Sequence, residues 1–116
     1  VSAANSCALA ASIKAGKIVE TDHLDTLADG VAGGVDEGSL TLPMASAVID
    51  EIVYCNEEQI AAALKVLAWE ENMLVEGAAA LALAAYLAEP QKYAGQTSAV
   101  LLCGGNYEVA QLRSIL

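Results

Sequence analysis

The clearest hydrophobic pattern in the chain lies in its second half. Apolar side chains recur three and four residues apart at Ile60, Leu64 and Leu67, the spacing of one helix face. Asn56 precedes this run and Gln59 follows Asn56 by three residues, which is close to a capping box. We therefore predict a helix that begins after Asn56 and ends near Asn72. Residues 77–88 are apolar on every side, which predicts a second, buried helix.

The remaining pattern predicts shorter elements. Further helices are predicted over residues 3–15, 43–49 and 107–115, and the first of them should stop at Gly16, a residue that favours helix C-termini. A β-branched run predicts a strand at residues 51–55, and SAVLLC predicts a buried strand at residues 98–103. Residues 21–38 are rich in glycine and acidic side chains, which predicts a loop with at most one helical turn, over residues 24–28. Because helices and strands alternate, the fold class is predicted to be α/β with some parallel pairing.

The composition argues against some classes of binding partner and suggests a cellular compartment. The chain of 116 residues has a formal net charge of −10, which argues against nucleic acid or an anionic membrane surface as a partner. The longest apolar stretch, of about 12 residues, is too short to cross a bilayer, which needs about 20. The three cysteines form no CxxC pair, so neither a disulfide framework nor a zinc site is indicated. This cysteine usage suits a reducing cytoplasm.

Five stretches, in this order, resemble a known group of enzymes. They are AASIKAGKI (residues 10–18), TLADGV (26–31), DEIVYCNEEQI (50–60), VEGAAA (75–80) and VLLCGGN (100–106). Together they are similar to the C-terminal region of the fold type II pyridoxal-phosphate enzymes, which include threonine and serine dehydratases and serine racemase. The resemblance runs from about residue 3 to residue 110. It implies one partial domain over residues 1–116, the C-terminal part of the large domain of the tryptophan-synthase-β-like fold, with helices packed on a small, partly parallel sheet.

The resemblance also implies an activity. The complete enzyme would use pyridoxal 5′-phosphate to convert a small hydroxy amino acid into a 2-oxo acid and ammonia. A homo-oligomer is expected on a separate ground, because a partial domain exposes apolar surface that its other part would cover. In that family an upstream lysine holds the cofactor covalently and an upstream glycine-rich loop holds its phosphate. None of the four lysines here (Lys14, Lys17, Lys65 and Lys92) lies in such a context. We therefore expect no catalytic lysine in this chain and no cofactor binding by the chain alone.

The resemblance assigns a cofactor-lining role to five residues. Cys103 matches the position that faces the pyridine nitrogen, and Gly104 and Gly105 would let the backbone pass close to the ring. Gly30 would also approach the cofactor closely, and Glu76 matches a glutamate near it. Simpler interpretations stay open. Cys103 would then be a small buried hydrophobic residue beside a plain glycine turn, and Glu76 a charge that favours the start of a helix.

Three further expectations concern polar groups. Asp29 either orients groups near the cofactor or is a solvated loop carboxylate. His23, the only histidine, lies in an acidic loop and is expected on the surface. Some family members bind a divalent cation near the start of the first helix, but residues 2–8 contain no Asp or Glu, so no metal is expected.

A second hypothesis is a non-catalytic α/β interaction module descended from such an enzyme, which would self-associate through exposed apolar surface.

Overall fold

A computed structural model describes all 116 residues, from Val1 to Leu116. Its helices and strands follow one another in the order β1 (Ser2–Ala3), α1 (Ala8–Ala15), α2 (Thr41–Val48), β2 (Tyr54–Cys55), α3 (Glu57–Trp69), α4 (Gly77–Ala88) and α5 (Val109–Ile115). Short 3-10 turns at Asp29–Val31 and Pro90–Tyr93 complete the regular structure. None of these helices is long and apolar enough to cross a membrane.

Helix α3 begins as its sequence predicts. The Asn56 side chain accepts a hydrogen bond of 2.9 Å from the Gln59 N–H, and the Gln59 side chain accepts one of 2.8 Å from the Asn56 N–H. This reciprocal pair confirms the capping box and satisfies two backbone donors at the helix start. The predicted apolar face is also buried. The helix ends at Trp69, earlier than predicted, and Asn72 then adopts a left-handed φ of 56° that redirects the chain.

Helix α4 is the most buried element. Its N-terminal half, from Gly77 to Leu81, is buried throughout, and so are Ala84 and Ala85. Together with α3 it provides most of the hydrophobic core, which Cys55, Val75 and Leu112 extend. The side chains of α4 are mainly methyl groups, so neighbouring backbone can approach the helix closely. The prediction of a buried helix over residues 77–88 is therefore confirmed.

The sheet has two short parallel strands. Ser2 pairs with Tyr54 and Ala3 with Cys55, which confirms a small, partly parallel sheet. The pairing also corrects the predicted boundaries. The helix predicted from residue 3 begins only at Ala8, because Ser2–Ala3 belongs to the sheet and Cys7 is the helix N-cap. The strand predicted over residues 51–55 is confined to its last two residues, where β1 lies alongside.

The buried strand predicted over residues 98–103 is wrong. No residue from Thr97 to Cys103 donates or accepts a backbone–backbone hydrogen bond. Leu101 is 74% exposed, whereas Leu102 packs against the core. The physical reason is that a strand needs a neighbouring strand, and β1 and β2 pair only with each other. An apolar run with strand propensity therefore stays unpaired.

The other elements differ from their predictions mainly at the ends. Gly16 ends α1 with a left-handed φ of 68°, as predicted. Helix α2 begins two residues before Pro43, which lies within its first turn, where proline is tolerated. Helix α5 begins at Val109 rather than at residue 107. Residues 21–38 form a loop as predicted, but its one turn of helix lies at Asp29–Val31 rather than at residues 24–28.

Candidate functional site

Glu76 lies where three of the five stretches described above come together, those at residues 26–31, 75–80 and 100–106. It is the N-cap of α4, and its Oε2 accepts a hydrogen bond of 2.9 Å from the Asn106 N–H. Its own N–H donates to the Gly104 carbonyl oxygen at 3.3 Å. The start of α4 is thus fastened to the glycine turn at residues 104–106 through both backbone and side chain. The expectation of a charge at a helix start and the expectation of a site glutamate are both compatible with this position.

Two glycines make room for this carboxylate. A methyl group on Gly104 would lie 2.2 Å from Glu76 Oε1, far inside van der Waals contact. Gly104 also has a φ of 153°, which side chains rarely adopt. A methyl group on Gly30 would lie 3.1 Å from the same oxygen and 3.2 Å from the Ala78 Cβ. The structure therefore brings Gly30, Glu76 and Gly104 together, although they come from three separate stretches of the sequence.

Cys103 and Gly105 continue this surface on its exposed side. Both are exposed to solvent, and no atom would lie within 4 Å of a methyl group on Gly105. The expectation that Cys103 ends a buried strand is wrong, because the segment before it has no strand partner. An open face next to glycine backbone leaves space for a flat group. The roles of the five residues toward a cofactor stay predictions.

Two residues that the sequence did not single out shape the same region. Glu57 accepts a hydrogen bond of 2.7 Å from the Thr26 hydroxyl and another of 2.7 Å from the Leu27 N–H. Gly77 lies against the same loop, and a methyl group there would lie 1.9 Å from the Leu27 carbonyl oxygen. Both contacts join segments far apart in the chain. In the sequence, only the glycine at the start of the predicted helix over residues 77–88 indicates that another backbone segment packs closely there.

The remaining polar predictions have mixed outcomes. His23 is exposed, as predicted, and its Nδ1 shares a hydrogen bond of 2.7 Å with the hydroxyl of buried Ser6. That hydroxyl also accepts a hydrogen bond of 2.9 Å from the Gly33 N–H. Asp29 is exposed and its side chain makes no hydrogen bond, so an orienting role for it stays a prediction. Nowhere in the chain do three His, Cys, Asp or Glu side chains converge as metal ligands would, and the expected absence of a metal also stays a prediction.

Two cavities lie elsewhere in the molecule. One of about 510 Å³ lies between α1, the glycine loop after Asp29–Val31 and residues 49–52. Another, of about 230 Å³, lies between α4 and residues 98–100. Neither is lined by any of the five predicted cofactor-lining residues. The convergence at Glu76 is therefore separate from both cavities.

Two of the lysines are engaged with other side chains. Lys14 Nζ lies 4.6 Å from the centre of the Tyr54 ring, a cation–π contact. Lys92 forms an ion pair with Glu51, and the hydrogen bond from Lys92 to Glu51 raises the pKa of Lys92. A raised pKa favours the charged ammonium, which is not nucleophilic. Burial likewise raises the pKa of the Cys55 thiol in the core.

The chain is similar to known enzymes over nearly its whole length. The family model described as pyridoxal-phosphate dependent enzyme matches residues 1–104. The chain is 36% identical to L-threonine ammonia-lyase of Geobacter sulfurreducens over 90% of its own length and 26% of that protein's. It is 33% identical to L-threonine ammonia-lyase of Thermotoga maritima, over 97% and 27% of the two lengths.

Solved structures show the same fold. Maize serine racemase superposes with a TM-score of 0.82 at 25% identity, over 97% of this chain and 36% of the other. A threonine deaminase from T.th. superposes with a TM-score of 0.79 at 32% identity, over 90% and 38% of the two chains. The chain spans about a quarter of the length of the two L-threonine ammonia-lyases that it matches.

Proposed function

Because the chain belongs to the family of pyridoxal-phosphate-dependent enzymes, of fold type II, we propose that it is the C-terminal part of a threonine or serine dehydratase domain. The reaction would convert a hydroxy amino acid into a 2-oxo acid and ammonia. The two curated relatives described above are both L-threonine ammonia-lyases, which supports this substrate class. The free cysteines, none of which lies in a CxxC pair, fit a reducing cytoplasm.

One observation carries the proposal. Three stretches that resemble the family's cofactor region come together around the Glu76 carboxylate. They contribute Gly30 from one side and Gly104 and Asn106 from the other. Such convergence is expected if these stretches line one ligand and is not required if they are unrelated turns.

The residues present fit one side of the cofactor. Pyridoxal 5′-phosphate, when bound, supplies an electron sink for the α-carbon of an amino acid. Here Cys103 would face its ring nitrogen, and the open backbone at Gly105 leaves space for a flat ring. Glu76 would keep the glycine turn in place, because it accepts the Asn106 N–H. A neutral partner at Cys103 leaves the ring nitrogen without a carboxylate to hold a proton there.

The rest of the catalytic apparatus would come from polypeptide outside these 116 residues. We propose that the covalent lysine and the phosphate-binding loop belong to that part. The ion pair of Lys92 with Glu51 and the contact of Lys14 with Tyr54 support this division, since both amines already have partners. By this proposal the chain alone neither binds the cofactor covalently nor turns over an amino acid.

The proposal is tested in a chimaera. The matched segment of the Geobacter sulfurreducens L-threonine ammonia-lyase is replaced with this chain, and ammonia release from threonine and from serine is measured. We expect activity, and Cys103→Ser should retain it because serine is also small and neutral. Cys103→Asp should lower kcat/KM by about tenfold, equivalent to ~1.4 kcal/mol, because it puts a charged carboxylate where a neutral side chain suits β-elimination of water. A folded chimaera that releases no ammonia would contradict the proposal.

The isolated chain supplies the complementary measurement. After incubation with pyridoxal 5′-phosphate and borohydride reduction, its intact mass should be unchanged. A stable mass increase on one of the four lysines, together with serine turnover, would show that the catalytic anchor lies in this chain.

A second candidate function is a non-catalytic interaction module that forms homo-oligomers. The observation that favours it is the unpaired segment Thr97–Cys103, which carries no charge and exposes Leu101. An uncharged segment with unpaired backbone groups can pair with another chain, as an exposed edge strand does.

Sedimentation equilibrium tests the second candidate. If the segment mediates self-association, Leu101→Lys should dissociate the oligomer. Leu40→Lys is the matched control, since Leu40 is likewise 74% exposed but lies elsewhere. A wild-type chain that stays monomeric at every concentration would rule this candidate out.

A further inference from the structure

The loop from Thr26 to Gly30 lies between the N-termini of two helices. Glu57, the first residue of α3, holds its beginning. Gly30 at its end lies close enough to Glu76, at the start of α4, that a methyl group on Gly30 would be 3.1 Å from Glu76 Oε1. Of the loop residues, Ala28 is completely buried. The loop is therefore held at its beginning by Glu57 and lies beside Glu76 at its end, so these two glutamates bear on its position relative to α4.

Glu57 holds the loop with both of its carboxylate oxygens. Oε1 accepts from the Thr26 hydroxyl and Oε2 from the Leu27 N–H, each at 2.7 Å. The Thr26 hydroxyl oxygen in turn accepts from the Ala28 N–H at 3.1 Å. Hydrogen bonds to an ionised acceptor are shorter and stronger than neutral ones. One half-buried carboxylate thus determines the conformation of three consecutive residues.

A chain of contacts connects this carboxylate with the candidate site. The Leu27 carbonyl lies against Gly77, where not even a methyl group fits, so the loop cannot move toward α4. Three residues after Leu27, Gly30 lies against the Glu76 carboxylate, and Glu76 holds the Asn106 N–H at 2.9 Å. A loop released by Glu57 can move only away from α4, which would open the contact between Gly30 and Glu76.

We propose that Glu57 is a positioning residue of the candidate site. It places Gly30 against Glu76 and thereby sets the geometry between the loop and the glycine turn at residues 104–106. The identity of the ligand that binds beside Gly30 and Glu76 rests on the proposed function. The positioning role of Glu57 does not. Glu57 makes no hydrogen bond to any of the five residues predicted to line the cofactor, so it acts through the loop.

The competing explanation is that Glu57 only stabilises the start of α3. Acidic side chains in the first turn interact favourably with the helix dipole. Glu58 provides the matched control, because it occupies the same first turn, is exposed and makes no side-chain hydrogen bond. A dipole effect would be shared by the two glutamates, whereas the contact with the loop belongs to Glu57.

The test measures backbone amide exchange by NMR in the 116-residue chain without any ligand. In Glu57→Ala, exchange at Leu27 and Asn106 should accelerate by about tenfold or more, and the Gly30 resonance should shift, because local opening becomes easier. Glu58→Ala should leave all three unchanged. Glu57→Gln should restore most of the protection, since its amide oxygen can accept one of the two hydrogen bonds that the carboxylate accepts.

A fourth variant guards against a general loss of folding. Thr26→Val removes the hydroxyl while Glu57 and the helix charge remain, and it should loosen Leu27 and Ala28 in the same way. The proposal is overturned if Glu57→Ala and Glu58→Ala behave alike, or if the loop loosens while Gly30 and Asn106 stay unchanged. Since no cofactor is used, an inactive chimaera would count against the proposed function and leave this inference standing.

Discussion

Replacing Gly77 with alanine should destabilise the chain by about 3 kcal/mol, near the upper end for overpacking in a core. Two effects oppose each other at this position. Alanine favours a helix over glycine by roughly 1 kcal/mol, but its methyl group would lie 1.9 Å from the Leu27 carbonyl oxygen. That obstacle is backbone, which Glu57 holds in place, so it cannot move aside cheaply. The clash should therefore outweigh the gain in helix propensity.

Urea denaturation followed by far-UV circular dichroism measures this effect. Gly34→Ala is the matched control, because no atom lies within 4 Å of its added methyl group and its φ is not positive. We expect the control to change stability by less than about 1 kcal/mol. An unchanged denaturation midpoint for Gly77→Ala would mean that the loop does not lie against α4 as described.

Replacing Ile60 with alanine should cost about 2–5 kcal/mol, the range for large-to-small changes in a core. Ile60 is the largest of the completely buried side chains. Eight of the other 14 residues in the buried core are alanines, which cannot extend into the space that it would leave. Because whole domains are stable by only about 5–15 kcal/mol, this one change should unfold a large share of the molecules on mild heating.

Thermal unfolding by circular dichroism provides the measurement, and Ile49 provides the control. Ile49 is 41% exposed, so Ile49→Ala removes the same atoms from a site that water already reaches. It should cost less than about 1 kcal/mol. Equal losses at the two isoleucines would show that α3 does not pack against the core through Ile60.

Elements that depend on local chemistry could be predicted from the sequence. The capping box of Asn56 and Gln59, the buried face of α3 and the glycine stop of α1 each involve residues within a few positions of one another. Residues 98–103 show the opposite case. Their composition favours a strand, but a strand exists only beside a partner, and no partner strand lies next to them. The burial expected for Cys103 failed for the same reason.

The sequence predicted which residues form the candidate site, but not which residue holds the neighbouring loop in place. Gly30, Glu76 and Gly104 belong to stretches that resemble a family, and the structure brings these three together. Nothing near Glu57 in the sequence indicates that its carboxylate holds Thr26 and Leu27. In the sequence it is one of two adjacent acidic residues at a helix start, and only the tertiary contact distinguishes it from Glu58.

The methyl-sized side chains of α4 also affect how the chain responds to temperature. Unfolding changes the heat capacity mainly through newly exposed apolar area, and alanines expose little area per residue. A core built largely from Ala79, Ala80, Ala84 and Ala85 should therefore give a shallow dependence of stability on temperature. Cooling would weaken such a fold less than one with a core of large aliphatic and aromatic residues.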